Sequence, residues 1–87
     1  MKLTIKEAIV RVFKDFSYWG DKFKYYTSSE IYWMLDHYYV LEGELTLSNV
    51  SKALEELREL GVVRLRDHKW EKGDERFIRL AKEEGKL

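Results

Sequence analysis

Thr46-Leu-Ser-Asn-Val-Ser-Lys-Ala-Leu-Glu-Glu-Leu-Arg-Glu-Leu-Gly-Val-Val63 is the stretch on which the fold turns. Thr46 stands where a helix N-cap belongs. Leu47, Val50, Leu54, Leu57 and Leu60 then recur at helical spacing with Ala53 beside them, so one side of a helix over 47–60 faces a core. Gly61 follows where a helix C′ glycine belongs, and the pattern changes to strand at Val62. A helix running through a glycine into a strand is therefore expected here.

Upstream, Leu41 to Leu45 reads as a turn around Gly43. Before it, Thr27-Ser28-Ser29-Glu30 is a capping box with Tyr26 and Ile31 at staple positions, which predicts a helix over 28–39. Ile31, Met34, Leu35 and Tyr38 form its main stripe. Phe23-Lys24-Tyr25-Tyr26 is short, aromatic and bounded by turn and cap residues, and is read as a short strand. Thr4-Ile5-Lys6-Glu7 is another capping box, opening a helix over 4–16 that carries Ile5, Ala8, Ile9, Val12, Phe13 and Phe16. Downstream, Val62 to Arg66 and Glu75 to Leu80 are read as the two strands of a hairpin, with Asp67 to Asp74 as its loop. The sum is an α+β domain of three helices and a C-terminal hairpin.

The whole chain bounds the function classes. Its 87 residues make one small domain over 1–87. It has no cysteine, so neither a disulfide nor a thiolate metal site is available. His37 and His68 lie on different elements, and no phosphate-binding loop, nucleophile elbow or paired-carboxylate signature appears. No enzyme, metal, cofactor or small-molecule ligand is expected. MKLTIKEAIV is interrupted by Lys6 and Glu7 and makes no signal-peptide core, and no apolar run approaches bilayer length. A cytoplasmic protein without a membrane partner is expected. The chain has no glutamine and one asparagine, Asn49, but many Glu, Lys and Arg, a thermophile pattern.

Net charge is zero, but it is unevenly spread. Residues 1–60 carry 8 Lys/Arg against 10 Asp/Glu, whereas residues 61–82 carry 7 against 4. The hairpin region is the basic part of the chain.

The order helix, short strand, helix, turn, helix, hairpin resembles the winged helix-turn-helix family. Thr46 to Val63 is similar to the recognition helix of prokaryotic regulators of that family, running into the first wing strand. Phe77-Ile-Arg-Leu-Ala-Lys-Glu-Glu-Gly85 resembles their second wing strand and final turn. The likeness covers roughly residues 4–85. It implies binding of double-stranded DNA as a transcription regulator, with helix 3 in the major groove and the wing on the backbone or in the minor groove.

At about 100° per residue, Val50, Ala53, Leu54 and Leu57 point inward while Ser48, Lys52, Glu55 and Glu59 point away, flanked by Asn49 and Ser51. A docked recognition helix reaches bases with its first residues, which selects Ser48, Asn49, Ser51 and Lys52. Asn49 can instead help cap the helix. The glutamates oppose phosphate, and Glu55 lies close to the candidate contacts. On the wing, Arg64, Arg66, Lys69, Lys72 and Arg76 are candidates for phosphate, with Lys69 and Lys72 placed near the tip; the alternative is a charge-laced ribbon in which they answer Asp67, Glu71, Asp74 and Glu75. Trp70 is expected to pack back on the sheet. The aromatics of residues 25–39 outnumber what one side of a small core can hold, so Tyr32, Trp33 and Tyr39 are candidates for a homodimer surface. The surplus aromatics, the zero net charge and the acidic half of helix 3 also fit a winged-helix protein-interaction module of transcription or replication machinery.

Overall fold

A computed structural model describes residues 2–16 and 25–87. Its elements run α1 (Ile5–Asp15), α2 (Ser28–Tyr38), α3 (Leu47–Glu59), β1 (Val63–Arg66), β2 (Lys69–Lys72) and α4 (Glu75–Glu83). The fold is α+β, with four helices and a two-stranded antiparallel hairpin among the described residues.

The three N-terminal helices start where their caps stand. The Thr4, Thr27 and Thr46 hydroxyls accept from the backbone N–H of Glu7, Glu30 and Asn49. At α2 the Glu30 carboxylate also accepts from the Thr27 N–H, completing the box. Ile9, Val12, Ile31, Leu35, Val50, Leu54 and Leu57 are all fully buried, so α1, α2 and α3 pack on one another through the stripes their spacing defines. Leu47 departs from its expected place. It sits in the first turn of α3 and is half exposed, ahead of the point where the helix meets the core.

The end of α3 follows from one glycine. Gly61 takes φ +76°. Its N–H donates to the Arg58 carbonyl, and the Val62 N–H reaches back to the Leu57 carbonyl. Those two bonds are a Schellman motif, and they turn the chain directly into β1.

The hairpin is tighter than the sequence pattern suggests. Val63 pairs with Lys72, Arg64 with Glu71, Leu65 with Trp70 and Arg66 with Lys69. The turn is the dipeptide Asp67-His68, with φ of +50° and +65°. A two-residue turn with both φ positive has the twist that antiparallel strands require. Asp and His tolerate the left-handed region better than most residues, but glycine adopts it without steric strain, at an entropic cost that only partly offsets the gain. His68→Gly is therefore expected to raise the unfolding free energy by about 0.5–1 kcal/mol in urea titrations. A loss of stability would show that the His68 side chain makes contacts worth more than the relieved strain.

The expected second strand over 75–80 is wrong, and so is the count of three helices. Those residues form α4. Asp74 caps it by accepting from the Arg76 N–H, Glu75 and Lys82 suit its two ends, and Ile78 and Ala81 are its buried face at i, i+3 spacing. Arg76 and Arg79 flank apolar residues there, which imitates strand alternation over a few residues. Lys69-Trp70-Glu71-Lys72, expected in the loop, is the actual partner of β1. The short strand expected at Phe23–Tyr26 lies partly outside the described residues. Its last member, Tyr26, forms an antiparallel bridge to Trp70, with Tyr26 N–H donating to the Trp70 carbonyl at 3.0 Å. A parallel bridge between Leu3 and Leu41 ties the N-terminus to the α2–α3 connection. No helix of the described residues is long and apolar enough to cross a membrane.

Candidate nucleic-acid interface

The hairpin is anchored by its tryptophan. Trp70 is buried, and its indole N–H donates to the Ser28 hydroxyl at 2.9 Å. This fixes β2 against the first turn of α2. Trp70 is one residue from Lys69, so the turn lies within a few residue lengths, roughly 7–10 Å, of that helix end. Trp70 thus packs, as expected, and its packing decides where the tip sits.

Arg66 and Lys69 are cross-strand partners flanking the turn, and both are exposed. Neither side chain makes an ion pair or hydrogen bond among the described residues. The other expected wing cations are engaged. The Arg64 guanidinium lies 3.3 Å from the Glu71 carboxylate and also donates to the Lys72 carbonyl. Lys72 is at the base of the hairpin, not near its tip, and pairs with Glu75. That contact holds the Glu75 carboxyl below its usual range. Arg76 is on α4, not on the wing. It grips Asp74 through its side chain and backbone, and these hydrogen bonds lower the Asp74 pKa.

On α3, Ser48, Ser51 and Lys52 are exposed and face outward. Asn49 is also exposed, but its amide nitrogen donates to the Glu44 carbonyl at 2.9 Å. It ties the start of α3 to the α2–α3 connection, while Thr46 and not Asn49 caps the helix, and it leaves its amide oxygen for any other contact. The acidic half of α3 is partly neutralised from within. Glu56 turns to Lys6 of α1 at 2.8 Å, and that hydrogen bond lowers its pKa. Glu55 lies 3.6 Å from Arg58. The Glu55–Arg58 pair is local, at i, i+3 on the helix, but the Lys6–Glu56 contact spans fifty residues and is not visible in the sequence.

No family, curated protein or solved structure matches the chain. The site therefore rests on its own geometry.

The candidate dimer residues do not act together. The Tyr39 hydroxyl donates to the Asp15 carboxylate at 2.8 Å and packs against the core. Burial first, then that bond, raises its pKa. Tyr32 is half buried against the core as well. Trp33 is half exposed and stacks on His37 with ring centroids 4.2 Å apart, while Tyr38 meets it edge-on. The exposed aromatic strip on α2 is thus Trp33, His37 and Tyr38. Among the described residues, no group of three His, Cys, Asp or Glu side chains is placed to hold a metal ion.

Proposed function

We propose that this chain is a winged-helix protein that binds double-stranded DNA, as a transcription regulator would. The observation that carries the reading is the hairpin tip. Arg66 and Lys69 stand there without a carboxylate partner among the described residues, and the Trp70–Ser28 bond sets the tip beside the start of α2. Exposed Arg and Lys side chains are among the principal donors to phosphate oxygens. The order α1, α2, α3, hairpin, and the Tyr26–Trp70 bridge that adds one residue pair to the hairpin's edge, support the winged-helix assignment. Ser48, Ser51 and Lys52 would meet the groove, and Asn49 would contribute through its amide oxygen alone.

With Arg64, Lys72 and Arg76 paired to acids, the candidate contact residues whose cations stand without an ion pair among the described residues are Arg66, Lys69 and Lys52. Binding is then expected to be weak, with log K falling against log salt at a slope of about −3, close to −0.9 per phosphate contacted. A fluorescence-anisotropy titration of a labelled duplex across a salt series tests this. The exposed Trp33–His37–Tyr38 strip favours a second reading, a protein-interaction surface for a second copy of the chain or another protein. Failure to bind duplex at low salt would select that reading.

A further inference from the structure

A hollow of about 300 Å³ opens on α2, between Trp33 and Tyr38 of that helix and Phe16 just after α1. Tyr26 and Met34 are its buried floor, and Glu30 completes the lining. The walls are accessible. Trp33 is 51% exposed and Tyr38 57%, so a ligand there covers ring surface that folding leaves to solvent. The rings meet at steep angles, Tyr38 to Phe16 at 5.5 Å and 60°, and Trp33 to Tyr38 at 5.8 Å and 73°. Rings tilted in this way leave faces uncovered, which a parallel stack does not. His37, outside the lining, stacks on Trp33 and shares a 2.8 Å hydrogen bond with the Trp33 carbonyl, which steadies the indole.

The charge of the hollow has one sign. Among the described residues its lining holds no Lys, Arg or His and one carboxylate, Glu30. Glu30 makes no ion pair among the described residues. Its cap bond is to the neutral Thr27 N–H, so its negative charge is not cancelled. That charge reaches the floor. Burial first, then Glu30, raises the Tyr26 pKa. A carboxylate and electron-rich ring faces both attract a cation and repel an anion. The walls are carbon, so the ammonium best suited to them has no N–H groups to leave unpaired. A volume of this size lies at the lower end of small-molecule sites.

We propose that this hollow binds a small quaternary ammonium ion, held against the rings of Trp33, Tyr38 and Phe16 with Glu30 as its counter-charge. The inference does not rest on DNA binding.

Choline is the probe, titrated into the full chain and followed by amide and indole NMR. Saturable shifts are expected at Trp33 and Tyr38, with the Trp70 indole unmoved. The neutral isostere 3,3-dimethylbutanol should bind about tenfold more weakly, the order of one cation–π contact. Trp33→Leu, read at Tyr38, should lose about as much. Glu30→Gln keeps a capping residue at its position, so α2 stays intact while choline binding weakens about threefold. A short peptide carrying trimethyl-lysine is the second arm, since a protein can present the same head group, and it should bind no more tightly than choline. Absence of saturable shifts, equal affinity for choline and dimethylbutanol, or unchanged binding in both variants would each overturn the proposal. Peptide binding about tenfold tighter than choline would overturn the assignment to a small molecule.

Discussion

Gly73→Ala is expected to cost about 3 kcal/mol or more, and in a domain of this size to leave much of the chain unfolded at 37 °C. A Cβ built on Gly73 would fall 2.2 Å from the Gly61 carbonyl oxygen and 2.8 Å from the Val62 carbonyl carbon and oxygen. All three are backbone atoms, so no side chain can rotate aside. The same approach gives the Gly73 N–H its bond to the Val62 carbonyl at 2.8 Å. Here the chain leaves β2, crosses the start of β1 and enters α4, and only a residue without a side chain fits. Gly43→Ala is the control. Gly43 has φ +83° but nothing within 4 Å of its Cβ position, so its replacement should cost only about 1 kcal/mol, the left-handed backbone penalty. Urea denaturation of both variants checks the contrast. Equal losses would mean that the hairpin does not pass so close to the end of α3.

Leu54→Ala is expected to cost about 2–5 kcal/mol, the range for deleting a buried leucine and leaving a cavity. Leu54 is fully buried in the middle of α3, among Val50, Ala53 and Leu57. Leu47→Ala, seven residues earlier on the same helix, should change stability by less than about 0.5 kcal/mol, because Leu47 is half exposed. A small loss at Leu54 would mean that α3 is rotated and that Ser48, Ser51 and Lys52 face the core rather than solvent.

The helices were legible because their signals are local and redundant. Capping threonines, apolar spacing and Gly61 agree from Thr4 to Val63, and the helix ends differ from the expected ones by a residue. The hairpin was legible in existence but not in register. Asp67-His68 lacks the glycine that usually marks a two-residue turn, so the visible glycine, Gly73, drew the loop outward. That displaced the second strand onto α4, where Arg76-Phe77 and Arg79-Leu80 alternate over a span too short to separate strand from helix. Asp74 is the signal that could have corrected it, being a cap followed by an acidic first-turn residue.

The candidate site was legible as residue types but not as available charge. Sequence places Arg64, Arg66, Lys69, Lys72 and Arg76 in one basic region. Sequence offers Glu71, Asp74 and Glu75 as local partners, and the fold shows which cations they take: Arg64, Arg76 and Lys72, three of the five. Tyr39 was similarly legible as a surplus aromatic, but its hydroxyl's partner, Asp15, lies on another helix. Trp70 was read as packing on the sheet, yet its bond to Ser28 spans 42 positions and could not be foreseen.

Contact of Arg66 and Lys69 with the phosphates of duplex DNA, as proposed, is read out by the salt dependence of binding. The measurement compares the wild-type chain with Arg66→Ala/Lys69→Ala on a labelled duplex from low to physiological salt. Both residues are exposed and unpaired among the described residues, so the double variant should fold as the parent does. The expected result is weaker binding to every duplex, with the slope of log K against log salt reduced by about two units, roughly one for each lost phosphate contact. Wild-type binding whose affinity and slope are untouched by the double variant would show that the hairpin tip does not meet phosphate.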